Sequence, residues 1–352
     1  MNGRCRWLSV MAVLVCACVL RAGAQTTAAA PGRAAFTVLF YNVENLFDCT
    51  HDSLKQDQEY VEGGKRRWSS RRYFAKLERI AKVVWAAGNC QPPDLVGLCE
   101  VENHRCMEDL TRRSILKEAG YRYLMTESPD QRGIDVALLY RPSSFRCLGS
   151  EALRIPPSAP GYRPTRDILH VWGKVLTGDT LDVFVCHFPS RLGGAVRSLP
   201  FRQWVAHRLR RAADSVASVR RVPQLLVMGD MNDGPSSRVL KVLTDGPRPD
   251  GLIDLMVGQP KGTYRYRGKW ETIDHLLVNR RLTGRRASLR LDPDSVRALD
   301  FPFLLVEDDT YGGERPCRTY QGWRYEGGFS DHLPVRAVFD LILKQTDNHD
   351  SE

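Results

Sequence analysis

What the chain lacks narrows its chemistry first. Its ten cysteines include no CxxC pair of the kind that holds zinc or cycles as a dithiol. Cys5, Cys16 and Cys18 lie in an apolar amino-terminal segment. The other seven, Cys49, Cys90, Cys99, Cys106, Cys147, Cys186 and Cys317, are odd in number and their spacing names no disulfide pairs. Cys99 and Cys186 end apolar runs, where cysteine serves as a small hydrophobe. Cysteine chemistry is therefore set aside. No Pro- or Ser-rich linker, internal repeat or basic tail is present. The apolar stretch from Leu8 to Leu20 falls short of the about 20 residues that a membrane-spanning helix needs. At 43% hydrophobic and 26% charged, the chain can nevertheless bury a sizeable core, which excludes a disordered polypeptide.

What is present begins with a leader. Arg4 and Arg6 precede the apolar stretch, and Ala22-Gly23-Ala24 offers small residues for cleavage before Gln25. Residues 1–24 are read as a signal peptide, which makes the mature protein exported, periplasmic or secreted. Val15-Cys16-Ala17 before Cys18 is a poor lipobox, so lipoprotein anchoring through Cys18 is disfavoured. Loss of residues 1–24 removes Arg4, Arg6 and Arg21 and no acid, lowering the formal charge from +10 to +7. A basic surface favours phosphates, nucleic acid or anionic membranes, although a solvated Arg-rich surface has the same composition. The densest basic cluster, Lys65-Arg66-Arg67 with Arg71-Arg72, sits among Trp68, Tyr73 and Phe74 and reads as a loop entering a helix.

Residues 25–34 read as a flexible mature N-terminus, 35–343 as one domain, and 344–352 as a disordered tail. Strands are expected at Phe36 to Tyr41, Leu95 to Cys99, Asp135 to Tyr140, Leu181 to Cys186, Gln224 to Met228, Ile273 to Val278 and Leu333 to Phe339. Phe74, Leu77, Ile80, Val83 and Val84 recur at helical spacing, and a second helix is expected from about Leu199 to Val219. Many strands with few, intermittent helices point to a sheet-based α/β domain rather than regular βαβ alternation.

Polar residues cluster beside these apolar runs. The segments are Tyr41-Asn42-Val43-Glu44-Asn45, Cys99-Glu100-Val101-Glu102-Asn103, Cys186-His187-Phe188-Pro189-Ser190-Arg191, Gly229-Asp230-Met231-Asn232-Asp233 and Ser330-Asp331-His332. Four of the five follow a strand directly, and strand ends are rigid mounts for chemistry. Each alone has an ordinary reading: Gly-Asp-x-Asn is usually a turn, and a single histidine beside a core strand is usually structural. All five in this order are a different matter.

Together they resemble the endonuclease/exonuclease/phosphatase superfamily, which includes deoxyribonuclease I-like and neutral sphingomyelinase-like enzymes. The resemblance runs from Tyr41-Asn42 to Ser330-Asp331-His332-Leu333-Pro334. It is closest to the exported bacterial branch, with YNVENLFD at Tyr41 to Asp48 and RTY at Arg318 to Tyr320. It implies an α/β (α+β) fold, a four-layered sandwich of two packed mixed β-sheets flanked by helices. One departure is Cys186, where many members carry Asn before the histidine.

The resemblance also implies roles. Glu100 is expected as the principal metal carboxylate, with Asn42 as a neutral oxygen ligand and Asp331 at or near the same metal. Such oxygen ligands suit Mg²⁺, with Mn²⁺ or Ca²⁺ able to substitute. His332 is expected as general base, or as the cation that stabilises the transition state, with Asp274 fixing its tautomer. Asp230 is expected to position or deprotonate the attacking water, while His187 and Asn232 donate hydrogen bonds to phosphate oxygens. His275, next to Asp274 in a strand, should face the other way and be structural. Arg132 and Arg191 are candidates for forked phosphate contacts, and Arg318 has the same chemistry. Trp68, Tyr73 and Trp85 have the chemistry to stack on bases, but aromatics at helical spacing are more often packing, and they are given no role.

The expected activity is hydrolysis of a phosphate ester by a monomeric enzyme, with a phosphodiester in nucleic acid as the leading substrate. Competing readings are a phospholipid head-group or phosphorylated sugar or inositol at the same site, and a catalytically silent binding module. Steep salt dependence would mark a polyanion. The complete set of polar residues opposes the silent module.

Overall fold

The run Phe36 to Val43 is buried almost throughout except at Thr37, as expected of a strand covered on both faces. The computed structural model describes residues 33–88, 91–156, 163–245 and 251–343. The expected leader, all but the end of the 25–34 segment, Cys90 and the tail from residue 344 lie outside them.

The first elements are β1 (Arg33–Leu46), α1 (Ser70–Ala87), β2 (Leu95–Val101), α2 (His104–Arg113), β3 (Arg122–Met125) and β4 (Asp135–Tyr140). Next come β5 (Phe145–Leu153), β6 (Ile168–Val175), β7 (Thr180–His187), α3 (Ala195–Val219), β8 (Leu225–Asp230), α4 (Arg238–Thr244) and β9 (Leu252–Asp254). A hairpin of β10 (Tyr264–Tyr266) and β11 (Lys269–Glu271) precedes β12 (Asp274–Asn279) and β13 (Leu289–Ala298). Two short ribbons follow, β14 (Leu305–Glu307) with β15 (Glu314–Pro316) and β16 (Tyr320–Gln321) with β17 (Arg324–Tyr325), before β18 (Val335–Ile342) closes the fold.

Two six-stranded sheets result, ordered β13-β18-β1-β2-β4-β3 and β5-β6-β7-β8-β12-β9. Each is mixed, because β1 runs parallel to β2 and β7 parallel to β8 while their other pairings are antiparallel. Phe40, Cys99, Leu138, Val183, Met228 and Leu276 belong to the apolar layer between the sheets. The outer face of the first sheet packs on α1 and α2 through Leu39, Val96, Leu77 and Leu110. The outer face of the second packs on α3 and α4 through Phe184, Val227, Leu209 and Leu240. This is the four-layered sandwich that the resemblance implied. Each sheet hides both faces, so shortening one central residue, Leu276→Ala for example, costs about 2–5 kcal/mol.

Two glycines mark where the layers and strands approach too closely for a side chain. A Cβ on Gly97 would lie 2.2 Å from Met228 Sδ across the sheet interface, and one on Gly229 would lie 2.3 Å from the Cys186 carbonyl. Cys186 itself is buried against the α3 and α4 side, on the strand face opposite its neighbour His187. Cys49, Cys99, Cys106, Cys147, Cys186 and Cys317 are all free thiols. Helix α3 starts a turn before the expected Leu199 and contains Pro200. The bond that Pro200 forfeits is to the carbonyl of Val196, a residue 85% exposed, so water can take it up. No helix among the described residues is long and apolar enough to cross a membrane.

Candidate active site

Five strands and the loop before β18 deliver the polar segments to one rim of the sandwich. His187 and Asp230 are the last residues of the parallel neighbours β7 and β8, and they stand opposite each other in register. Asp274 opens β12 and is paired in register with Asp230. Asn42 lies inside β1 rather than at its end, because the strand runs on to Leu46 through a bulge. Glu100 sits at a second bulge, between Cys99 and Val101. Glu44, Asn45, Glu100 and Asn232 have φ of 51°, 55°, 64° and 52°, a left-handed conformation that asparagine tolerates and glutamate rarely adopts. Strain of this kind, held by surrounding structure, aims the side chains out of the ladder.

The centre of the group is Asp230. Its Oδ1 accepts the Asn232 N–H at 2.8 Å and its Oδ2 accepts from Asn42 Nδ2 at 3.1 Å. Nε2 of His187 lies 3.6 Å from that Oδ2 and Nε2 of His332 lies 3.9 Å from it. His332 Nδ1 donates to Asp274 Oδ2 at 2.8 Å. Among the described residues the other Asp274 oxygen has no hydrogen-bond partner, which leaves much of the carboxylate's field to the imidazole. Thr263 Oγ1 accepts the Ile273 and Asp274 N–H groups, and the Thr263 carbonyl accepts the Leu333 N–H, so Thr263 ties the start of β12 to the end of the Ser330-Asp331-His332 loop. Tyr264 lays its ring 4.9 Å from the His332 ring. Ser330 Oγ donates to the Asn42 carbonyl and accepts the His332 N–H.

Burial opposes charge on both catalytic candidates, but their neighbours separate them. Burial and the adjacent Asp274 push the Asp230 carboxyl up to about 7, with His332 pulling the other way. Burial lowers His332, yet the charge and hydrogen bond of Asp274, helped by Asp230 and Asp331, outweigh it and carry the imidazole up to about 10. His187 goes the opposite way. Burial, reinforced by Arg166, Arg132 and His332, holds it well below the ordinary histidine range, so it is a neutral ring. Its Nε2 faces two carboxylates, Asp230 and Glu100, and therefore carries the proton.

Glu100, Arg132, His187, Arg191, Asp230, Asn232, Asp331 and His332 line one cavity of about 610 Å³. Asn42 and Asp274 are buried behind it, each at 1% exposure. Of the two expected arginines, Arg132 donates to Asn45 Oδ1 at 2.7 Å and lies 3.6 Å from Glu100, and Arg191 donates to Glu271 at 2.5 Å. Both reach the cleft through partners that orient them.

Of the carboxylates lining the cavity, Glu100 and Asp331 are the two expected to hold a metal. Glu100 Oε2 accepts the Asn45 N–H, while the ring nearest its Oε1 is His187 at 4.0 Å. Asp331 Oδ2 is taken by Arg318 at 2.8 Å, and its Oδ1 has His332 at 4.0 Å. Hard oxygen donors with room beside them fit a divalent cation of the Mg²⁺ class. Asn42 Oδ1 accepts the Glu44 N–H and its Nδ2 donates to Asp230. Asp230, Asp274 and His332 also bring ligand atoms within 4.8 Å of one another. The short His332–Asp274 hydrogen bond already occupies that trio with a proton, so we read it as a histidine–carboxylate pair.

Several residues at the site carried no separate signal in the sequence. Glu44 is buried, accepting from Arg318 Nε at 3.2 Å and from the Thr319 N–H at 2.6 Å. The bulge after Asn42 and the left-handed φ at Glu44 break the strand's alternation, so period two would not have found it. Lys76, on α1, is 1% exposed and donates to Thr319 Oγ1 and the Phe329 carbonyl, 4.0 Å from Glu44. Burial brings this lysine down to about 8 against the pull of Glu44, Asp331 and Glu100. Nothing in a helical pattern distinguishes such a lysine from a solvated one.

The sequence matches the endonuclease/exonuclease/phosphatase family over residues 37–340. No match was found among curated proteins. Among solved structures, an endonuclease/exonuclease/phosphatase family protein from Bacteroides thetaiotaomicron is similar at 18% identity and TM-score 0.55, covering 88% of this chain and 99% of that one. TDP2 of D. rerio, solved with a single-strand DNA product, is similar at 16% identity and TM-score 0.54, over 87% and 99% of the two chains. A mannosyl-6-phosphatase of Bacteroides thetaiotaomicron is similar at 17% identity and TM-score 0.53, over 86% and 98%. At these identities the likeness establishes the shared fold.

Proposed function

Because the chain belongs to the endonuclease/exonuclease/phosphatase family, we propose that it is a divalent-metal-dependent hydrolase of phosphate esters, with a phosphodiester as its leading substrate. The observation that carries this reading is the convergence of Asp230, His332, His187 and Asn232 on a cavity that Glu100 and Asp331 also line. Glu100 and Asp331 would hold the metal, which when bound supplies charge neutralisation and stabilises the leaving oxygen. Asn42 would be the neutral oxygen ligand, since its Oδ1 keeps a second lone pair beside the Glu44 N–H, and its Nδ2 aims Asp230.

In the proposed reaction, Asp230 takes a proton from the attacking water as the new P–O bond forms. A base with a pKa near 7 suits this work at neutral pH. His332, held cationic by Asp274, stabilises the extra negative charge on the phosphoryl oxygens. Neutral His187 donates a hydrogen bond from Nε2. Asn232 donates one amide hydrogen to the Phe188 carbonyl at 3.0 Å and keeps the other for a phosphoryl oxygen. The bond to the leaving oxygen breaks, and that oxygen gains a proton from solvent. Arg132 and Arg191 bind the substrate at the cavity walls. The charge balance, +7 without residues 1–24, favours a polyanionic substrate. Export through a leader at residues 1–24, and one catalytic domain over 35–343, belong to the same proposal. They rest on the residue pattern of the leader and on a family match spanning 37–340.

The similar structures include one solved with a single-strand DNA product and a mannosyl-6-phosphatase, so a substrate panel tests the proposal. It comprises DNA, RNA, sphingomyelin, inositol phosphates, mannose 6-phosphate and a chromogenic phosphodiester, each with Mg²⁺ or Mn²⁺ and with chelator. Hydrolysis of a phosphodiester that chelator abolishes is the expected result. Failure on every substrate would leave the silent binding module standing. A steep fall in binding with salt marks a polynucleotide, a shallow one a small ester.

A further inference from the structure

The basic cluster at Lys65-Arg66-Arg67 has no part in the reaction above, yet Arg66 reaches the edge of the site. It lines a second cavity, of about 300 Å³, together with Arg318, Tyr60 and Asn45. Arg66 Nε donates to Glu59 at 3.1 Å and Nη1 to the Gly322 carbonyl at 3.3 Å. Arg318 Nε and Nη2 serve Glu44 and Asp331. A guanidinium has five N–H donors, and among the described residues Arg66 Nη2 and Arg318 Nη1 have no hydrogen-bond partner.

Arg66 is also held still. Its guanidinium lies 5.1 Å from the Tyr60 ring centre, 4.9 Å from Tyr320 and 5.0 Å from Trp323. An arginine caged by rings has already lost most of its rotamer freedom, so a ligand need not order it. The acid facing this cavity, Glu44, has its two oxygens occupied by Arg318 Nε and the Thr319 N–H, with Lys76 nearby. Room for about ten waters between two uncommitted guanidinium ends suits a tetrahedral oxyanion with its hydration.

The wall between this cavity and the catalytic cleft is one layer of side chains. Asn45 accepts from Arg132 of the cleft and gives its N–H to Glu100, and Arg318 reaches Asp331. We propose that the second cavity is an anion subsite that receives a further phosphate group of the same substrate molecule while the scissile phosphate lies in the cleft. The subsite rests on the phosphoester reading and narrows it to substrates with at least two phosphates, either an oligonucleotide or a small bisphosphate. Phosphate recognition by forked arginines is the shared chemistry.

The test uses the full mature chain and two matched substrate pairs: a dinucleotide with and without a terminal phosphate, and a sugar phosphate with and without a second phosphate. The readout is the ratio of kcat/KM within each pair. Wild type is expected to favour the doubly charged member of one pair by about tenfold or more, chiefly through KM. The ratio should fall towards one in Arg66→Gln and lie between in Arg66→Lys, which also serves if Arg66→Gln does not fold. Preference in the dinucleotide pair identifies a polynucleotide source; preference in the sugar pair identifies a small bisphosphate. A ratio near one in wild type for both pairs, or an unchanged ratio in the variants, overturns the subsite. Calorimetric titration with inorganic pyrophosphate keeps the two readings separate. If wild type hydrolyses nothing, the phosphoester reading falls by itself. The subsite then stands if Arg66→Gln weakens pyrophosphate binding at least about fivefold, as loss of one charge-assisted contact should, and falls if the two proteins bind it equally.

Discussion

Strand β12 carries two histidine–carboxylate pairs back to back, and they differ in a way that separates chemistry from support. On the cleft side Asp274 holds His332 by Nδ1 at 2.8 Å, while Nε2 of that ring has only a long 3.5 Å contact with Asn42 Nδ2, with Asp230 at 3.9 Å and Asp331 at 4.0 Å. On the core side His275 bonds Asp254 through Nδ1 and the Asp233 carbonyl through Nε2, both at 2.9 Å. Two acceptors require two donors, so His275 is an imidazolium whose hydrogen-bonding capacity is spent. The rings are 6% and 0% exposed. The same pair of side chains suits chemistry where one nitrogen is held only loosely and support where both are firmly bonded. Strand alternation alone produces the division, because Asp274 and His275 are neighbours on opposite faces.

Breaking the front assembly should show the largest effects. Asp230→Asn removes the proposed base and should lower kcat by about 10³-fold or more with the fold intact, read by steady-state turnover beside circular dichroism. Asp274→Asn should cost about 10²-fold in kcat with little change in the metal titration, since it frees the tautomer and charge of His332. Glu100→Ala should instead raise the Mg²⁺ concentration for half-maximal activity by about 10–100-fold. Equal metal titrations in these two variants would contradict the division of labour between the carboxylates.

The pH profile sharpens the same contrast. Turnover should rise as Asp230 ionises near or below pH 7, a bound cation moving that limb downward, and fall as His332 loses its proton towards pH 10. In Asp274→Asn the alkaline limb should move down towards the ordinary histidine value of about 6.5. An alkaline limb that stays in place would deny His332 its cationic role. The back pair should affect stability more than turnover. His275→Gln should lower unfolding free energy by about 3–5 kcal/mol by leaving Asp254 buried and unpaired, while kcat changes only a few-fold. The folded-state value of His275 is raised: burial opposes this, but Asp254 and the Asp233 carbonyl prevail. Its stabilisation is therefore fully present below about pH 6.5 and lost as pH rises through the folded value. Asp254→Asn should flatten that alkaline loss, measured by denaturant midpoints across pH.

Much of this arrangement is legible in the sequence because strands end where the apolar runs end. His187 and Asp230 close β7 and β8 within a residue or two of the expected boundaries, and Asp135–Tyr140 is β4 as expected. The opposite facing of His275 follows from period two alone. Asn42 is different: it was expected at a strand end and lies within a 14-residue strand. A bulge that bends a strand around a site leaves no mark in hydrophobic alternation. The ribbons β14 to β17 are two or three residues long and have no periodicity to read. Glu44, Lys76 and Arg318 meet only through tertiary packing, across sequence separations of 243 to 275 residues where Thr319 joins them. Their individual residue types look like surface charge until the fold buries Glu44 and Lys76 and draws Arg318 between Glu44 and Asp331.

The most direct test is turnover of a chromogenic phosphodiester in saturating Mg²⁺ by wild type, His332→Ala and His275→Gln, each repeated with chelator. His332→Ala is expected to lose about 10³-fold of the rate while melting near the wild-type temperature. His275→Gln is expected to stay within a few-fold of wild type at temperatures where it remains folded, and chelator to silence all three. Wild-type turnover in His332→Ala, or activity that survives chelation, would contradict the proposed metal-dependent chemistry.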